Sequence, residues 1–111
     1  MPSKWPQKTM PHKIVFRRAA ENDLRELYDY IAAQGGRGVA GRYVARIEAA
    51  CLRLAEFPER GTRRDELLPG LRIIGFERRA AIAFIAEADT VRIIRVFYGG
   101  RAFPEDWSGG E

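Results

Sequence analysis

The sequence predicts a single α+β domain in which an N-terminal strand and an antiparallel helical hairpin precede a three-stranded antiparallel sheet. The length of 111 residues suits one domain. Two segments with helical apolar spacing follow each other across a glycine-rich turn, and three strand-like runs come after them. The predicted order is β-α-α-β-β-β, with residues 12–107 as the domain, 1–11 as a disordered leader and 108–111 as a flexible tail.

The first half of the domain supplies the predicted hairpin. Residues 12–17 alternate, with Ile14 and Phe16 on one face, and predict a short strand. Residues 19–34 repeat apolar side chains at helical spacing and predict a helix that ends at the two glycines that follow. Residues 39–56 predict a second helix, with an apolar stripe of Val39, Tyr43, Ile47, Ala50 and Leu54. The short turn makes the two helices antiparallel neighbours that pack on a sheet, with Tyr43 and Cys51 in the core.

The second half supplies the predicted sheet. Residues 57–70 predict a polar loop, and strands follow at 71–76, 79–86 and 91–98. The last strand has apolar residues on both faces, which is typical of a central strand. Strict alternation places Arg95 on one face with Ile93 and Phe97. A buried unpaired charge is too costly to persist, so either that face is open or a carboxylate pairs with Arg95.

Composition argues against several classes of function. No apolar run approaches the ~20 residues that span a bilayer, and the N-terminus has no apolar core typical of a secretory signal. Cys51 is the single cysteine, so an intramolecular disulfide is excluded. His12 is the single histidine, which argues against a metal site or a Ser-His-Asp triad. We therefore expect no cofactor and no metal, and a reducing cytoplasm suits the unpaired thiol.

The chain is basic, and its charge is carried by arginine. The net charge is +4, and sixteen of the nineteen basic residues are arginines. Arginine suits bidentate recognition of phosphates and carboxylates, although an arginine-rich proteome explains the composition equally well. Arg42, Arg46 and Arg53 form a narrow arc beside the stripe of the second helix. That arc is either a solvated helix face or a surface for acidic residues of a protein partner.

The order of elements and several short motifs resemble the RelE/ParE superfamily of bacterial toxins from type II toxin–antitoxin modules. The resemblance runs from about His12 to Arg101 and is closer to the ParE-like branch. It implies a helical hairpin against a small, mostly antiparallel sheet, and neutralisation by a cognate antitoxin. The residues that carry it are Asp23-Leu24, Tyr30-Ile31, Arg42-Tyr43, Ile47, Leu54, Phe57-Pro58, Gly61, the runs 64–67 and 69–72, Arg95-Val96 and Arg101.

The two branches of the superfamily imply different targets. The ParE-like branch implies a binding-type inhibitor that traps DNA gyrase and arrests growth. The RelE-like branch implies an endoribonuclease that cuts messenger RNA on the ribosome. The basic positions of that branch fall here, by spacing, at Arg72, Ile74, Ala81 and Arg101, and two of the four are apolar. This departure favours the gyrase inhibitor over the ribonuclease.

The ribonuclease alternative has three candidate residues. Arg72 and Arg101 would supply positive charge at the phosphate, and Tyr98 would transfer a proton. Arginine itself stays protonated and is a poor base. If the strands carrying Arg72 and Arg101 are antiparallel neighbours, the two side chains converge. The alternative role for each arginine is that of an ordinary solvated charge on the surface.

The remaining expectations concern contacts with protein partners. The candidate contacts with the target are Arg72, Arg95, Arg101, Phe103 and Trp107. The helical hairpin, with the arginine arc, and the sheet edge are the expected docking surfaces for an antitoxin. A homodimer through exposed apolar helix faces stays open.

Overall fold

The computed structural model describes residues 12–99, and the arrangement of elements confirms the predicted α+β class. The strands are β1 (Lys13–Phe16), β2 (Thr62–Arg63), β3 (Leu71–Phe76), β4 (Ala80–Ala86) and β5 (Thr90–Tyr98), and the helices are α1 (Arg18–Gly35) and α2 (Arg37–Arg53). Within residues 12–99 no helix is long and apolar enough to cross a membrane.

A single residue joins the two helices. Gly36 has a φ of 95°, a value that side-chain-bearing residues rarely adopt, and it caps both helices. Its N–H donates to the Ala32 carbonyl, and its own carbonyl accepts from the Ala40 N–H. The sequence predicted a longer linker that included Gly38. Gly38 instead lies in the first turn of α2, because Gly36 alone reverses the chain.

The sheet is mixed and has five strands in the order β1-β5-β4-β3-β2. Strands β3, β4 and β5 pair antiparallel with one another as predicted, and β5 lies inside the sheet, between β1 and β4, as its two apolar faces indicated. Strand β1 pairs with β5 in parallel. Strand β2 pairs with β3 inside the segment predicted as a loop. At two residues, β2 is too short to show any periodicity in the sequence.

Apolar side chains cover both faces of the sheet. On one face, α1 and α2 bury the larger part of the core, which includes Leu27, Ile47, Phe84 and Val96. On the other face, a smaller cluster centres on Leu71, Ala83, Ile94 and Phe97, and Leu67 and Leu68 from the segment before β3 pack against it. Cys51 is fully buried and belongs to the helix-side core, as predicted.

A β-bulge in β5 changes which residues face the helices. Ala83 of β4 is opposite Arg95 and Phe84 is opposite Ile93, so Ile94 is an extra residue in β5. Val91 and Ile93 face the helices before the bulge, and Val96 and Tyr98 do so after it. The prediction that Ile93 and Phe97 share a face was therefore wrong. One inserted residue shifts the alternation by one position.

The Asp23 carboxylate holds α1 against β5 at this bulge. One of its oxygens accepts from Arg95 Nε at 2.7 Å and from the Val96 N–H at 2.8 Å, and the other accepts from Arg95 Nη2 at 2.8 Å. Asp23 is 6% exposed, so its charge is compensated by these three donors rather than by water. Of the two alternatives that the sequence left open for Arg95, the paired carboxylate is the one observed.

The turn between β3 and β4 contains two non-glycine residues in the left-handed region. Glu77 has a φ of 50° and Arg78 a φ of 69°, and the Arg79 N–H donates to the Phe76 carbonyl. Two-residue hairpin turns with both central φ angles positive normally contain asparagine, aspartate and glycine. Glu77 is held by a bidentate ion pair with Arg46 of α2, at 2.9 and 3.0 Å.

We expect Asp23→Asn to destabilise the protein by about 3 kcal/mol, because it leaves Arg95 without its counter-charge and sets an amide N–H₂ against other donors. The exposed Asp29 on the same helix is the matched control, and Asp29→Asn should change stability by less than about 0.5 kcal/mol. Urea unfolding of the variants measures both. Equal midpoints for the two variants would show that the Asp23 contacts contribute nothing.

We expect Arg78→Gly to raise stability by about 1 kcal/mol, because a left-handed conformation costs a side-chain-bearing residue about 1–2 kcal/mol and costs glycine much less. The control is Arg25→Gly within α1, where the same substitution should lower stability by about 1 kcal/mol. Thermal unfolding checks the two signs. A loss of stability in both variants contradicts the strained turn.

Candidate functional site

Three tyrosines from three different elements meet where α1 ends, α2 begins and β5 ends. The Tyr98 ring lies edge-on to Tyr30 of α1, at 6.0 Å between centroids, and edge-on to Tyr43 of α2, at 5.7 Å. Tyr43 also packs edge-on to Phe76 of β3. Such edge-to-face pairs are favourable beyond the apolar area that they bury. The row joins both helices to the same end of the sheet.

A pocket of about 340 Å³ opens beside this row. We call it the tyrosine pocket, and the lining residues used below are Tyr30, Val39, Arg42, Tyr43, Arg79 and Tyr98. Tyr30 is 53% exposed and Val39 is 45% exposed, so apolar surface reaches the rim. The prediction that Val39 belongs to the buried stripe of the second helix was wrong. Val39 lies in the first turn of α2, where it lines this pocket.

Tyr43 places a buried hydroxyl in the pocket wall. Its hydroxyl is buried and has no hydrogen-bond partner within residues 12–99. Burial raises the pKa of the Tyr43 hydroxyl, and the neighbouring Tyr98 and Glu77 act in the same direction. Arg46 and Arg79 act against that rise. Tyr43 therefore stays neutral at physiological pH and contributes no negative charge to the site.

The three arginines of the predicted arc have different surroundings. Arg46 stacks on the Tyr43 ring at 5.1 Å and pairs with Glu77, and this pair holds the pKa of Glu77 below its usual range. Arg42 is exposed and lines the tyrosine pocket. Arg53 is exposed at the end of α2, away from the residues that line the pocket. The three arginines therefore do not share one role: Arg46 is held by Glu77, Arg42 lines the pocket, and Arg53 lies on a separate part of the surface.

Arg72 is tied into the segment that precedes β3. Its Nη1 donates to the Glu59 carbonyl at 3.0 Å, and the side chain is half-buried. Asp65 of the same segment accepts two bonds from Arg63 and one from the Gly70 N–H. These contacts hold the pKa of Asp65 below its usual range, with the Arg63 bonds as the main cause. Arg72 therefore belongs to a network that orders the loop.

Arg72 was expected to converge with Arg101 only if the strands that carry or precede them were antiparallel neighbours. The structure does not meet that condition. Strand β4 lies between β3 and β5, so those two strands are parallel to each other and are not neighbours. Tyr98 is level with Phe76, four residues along β3 from Arg72. The Arg72 and Tyr98 backbones are therefore about 16 Å apart at the usual rise and spacing of strands. The two residues therefore do not converge, and Arg72 is held at the Glu59 carbonyl instead.

The positions that correspond to the basic residues of the ribonuclease branch are also dispersed. Ile74 packs against the helix-side core. Arg72 alternates with Ile74 and so lies on the same face, whereas Ala81 lies between Ala80 and Ile82 and points to the opposite face. These positions do not build one surface within residues 12–99.

Several other predicted residues lie outside the described part of the chain. Arg101, Phe103 and Trp107 fall there, as do the predicted leader 1–11 and tail 108–111. Conversely, sequence reasoning missed Asp23 as the partner of Arg95, and Tyr30 and Arg79 as pocket residues. Asp23 carried one available signal, because Arg95 in an apolar strand required a carboxylate from elsewhere. Within residues 12–99, no group of three histidine, cysteine, aspartate or glutamate side chains is placed to hold a metal ion.

Comparison with known proteins identifies a family. A family model described as "ParE toxin of type II toxin-antitoxin system, parDE" matches residues 14–103. Among solved structures, one from a chromosomal ParDE toxin–antitoxin system of P. aeruginosa is similar with a TM-score of 0.70 and 23% identity, covering 81% of this chain and 98% of the other. A chain of the RelBE2 toxin–antitoxin complex of Mycobacterium tuberculosis is similar with a TM-score of 0.54 and 24% identity, covering 79% and 98%. No curated protein matches the chain in sequence.

We expect Tyr43→Phe to raise stability by up to about 1 kcal/mol at pH 7, because it removes a buried hydroxyl that has no partner. The exposed Tyr30 is the control, and Tyr30→Phe should change stability by less than about 0.5 kcal/mol. Urea unfolding of the three proteins measures the difference. A clear loss of stability in Tyr43→Phe would mean that its hydroxyl is satisfied in solution.

The same variant has a predicted pH dependence. A tyrosine with a raised pKa in the native state keeps its proton longer there than in the unfolded chain, where it titrates near ~10. Stability contributed by neutral Tyr43 is therefore complete below about pH 10 and is lost as the pH rises towards the native value. The advantage of Tyr43→Phe over wild type should grow above about pH 10. A constant difference from pH 7 upwards would contradict the raised pKa.

Proposed function

Since this chain belongs to the ParE toxin family of type II toxin–antitoxin systems, we propose that it arrests growth by binding DNA gyrase and that a cognate antitoxin neutralises it. The observation that carries the proposal is the family match over residues 14–103, which includes both helices and all five strands except the first residue of β1. The proposed site of action is the cytoplasm, where gyrase and DNA are found.

The arrangement of side chains supports a binding-type inhibitor over a ribonuclease. RNA cleavage by 2′-hydroxyl attack needs a proton acceptor, a proton donor and positive charge around one phosphate. Arg72 and Tyr98 are separated along and across the sheet, and Arg72 is engaged by the Glu59 carbonyl. An inhibitor that acts by binding requires only a complementary surface, so it does not need these groups to meet.

The proposed contacts with gyrase are those that the sequence suggested, except for two arginines. Arg95 is paired with Asp23, and Arg72 donates to the Glu59 carbonyl. We therefore expect both arginines to stabilise the fold and not to contact the target. This leaves Arg101, Phe103 and Trp107 as the residues through which the target is contacted.

The first test is induced expression without the antitoxin, with a DNA-damage reporter and amino-acid incorporation followed in one culture. We expect an early damage signal while protein synthesis continues, because trapped gyrase leaves broken DNA. An early stop in synthesis without damage would instead favour the ribosome-dependent ribonuclease. Purified toxin added to gyrase and supercoiled plasmid should also accumulate linear DNA.

A pair of variants links the effect to the proposed contact. Arg101→Ala should lower the accumulation of linear DNA at least tenfold. Arg18→Ala, an exposed arginine of α1, is matched in charge and should leave it unchanged. Circular dichroism confirms that both variants are folded. Equal activity of the two variants would exclude Arg101 from the target contact without affecting the assignment of gyrase.

A further inference from the structure

The tyrosine pocket has a partly exposed apolar rim. Tyr30 of α1 and Val39 of α2 both line the pocket, and both are about half exposed. A second cavity of about 400 Å³ shares Tyr30, Arg79 and Tyr98 with the pocket and continues between α1 and the end of β5. The two cavities form one groove across the tyrosine row.

The rim of the pocket carries two arginines that lack an ion pair among the described residues. Arg42 and Arg79 are exposed and have no ion pair with any residue in 12–99. Arg46 beside them is neutralised by Glu77, and Tyr43 is neutral. Two positive charges therefore flank an apolar cleft. Such a cleft attracts carboxylates, which arginine binds in a bidentate manner.

The shape of the groove favours a peptide over a nucleic acid. The tyrosine rings are engaged edge-to-face with one another, at interplanar angles of 61° and 78°, and so do not form a row of parallel surfaces for stacked bases. Glu26 lines the second cavity, so that end of the groove carries a negative side chain. A volume of about 340 Å³ is at the small end of ligand pockets and suits one large side chain.

We propose that the tyrosine pocket is the recognition site for an acidic segment of the antitoxin, which inserts one large apolar side chain between Tyr30 and Val39 and pairs its carboxylates with Arg42 and Arg79. This inference rests on the proposed function, because it takes the antitoxin as the partner. The Glu26 end of the groove faces a basic or polar residue of the same segment. Binding here neutralises the toxin without requiring any change in the core.

The test uses the full toxin and the small protein encoded beside its gene, produced together and purified. Arg42→Glu and Arg79→Glu should each weaken the complex at least tenfold by isothermal titration, and Val39→Glu should do the same by placing a charge in the apolar rim. The control is Arg53→Glu, an exposed arginine of the same helix outside the pocket, which should stay within about twofold of wild type. Unfolding midpoints confirm that the variants are folded, and Arg42→Gln replaces Arg42→Glu if the reversal destabilises α2.

Neutralisation in cells separates this inference from the proposed function. Arg42→Glu should remain toxic and escape the antitoxin, and changing the matching acidic residue of the antitoxin to lysine should restore neutralisation. If wild-type toxin binds the neighbouring protein and the pocket variants bind equally well, the pocket inference is overturned while the proposed function stands. If the wild type does not bind that protein at all, the proposed antitoxin itself is wrong. Concentration-dependent dimers that Val39→Glu abolishes would show that a second copy occupies the pocket, which also overturns the inference.

Discussion

The tyrosine pocket depends on the hydrogen bonds that the Asp23 carboxylate accepts from Arg95 and Val96. They attach α1 to β5 at the point where the bulge places one extra residue in the strand. Beyond that residue the alternation is reversed, so Tyr98 faces the helices. Without the bulge, Tyr98 would lie on the opposite face and could not reach Tyr30 or Tyr43. The tyrosine pocket is therefore a consequence of a register shift that is anchored by one buried carboxylate.

Apolar periodicity in the sequence was sufficient to predict the helices and the last three strands, but it was not sufficient to predict the register shift in β5. The two helices and the last three strands have clear apolar spacing, and their predicted bounds lie within a few residues of those observed. Strand β5 has apolar residues at Ile93, Ile94, Val96 and Phe97, so either register buries apolar groups on both faces. The pattern therefore could not reveal the bulge. The two-residue β2 and the exposure of Val39 depend on tertiary neighbours that local spacing does not encode.

The positive charge of the chain has more than one role, which composition could not distinguish. Within residues 12–99, Arg46, Arg63, Arg92 and Arg95 are each paired with a carboxylate, and Arg72 is bonded to a backbone carbonyl. These arginines organise the fold and are not available to a partner without breaking a contact. Arg42 and Arg79 are different, because they border a cleft and have no such contact with the part of the chain that the structure describes. A net charge of +4 therefore overstates how much of the surface attracts anions.

Separation of the core from the pocket rim suits the proposed function, in which one protein binds both an antitoxin and a target. The Asp23 contacts and the buried apolar clusters maintain the fold, whereas the rim residues Tyr30, Val39 and Arg42 are exposed and are not members of those clusters. Substitutions at the rim can change affinity with little effect on stability. Positive charges beside an apolar anchor also discriminate, because a basic or fully apolar segment leaves them unpaired, whereas an acidic segment with one large side chain satisfies both requirements. Under the proposed function, substitutions at the rim change which antitoxin is bound, while the strand register and the proposed target contacts stay unchanged.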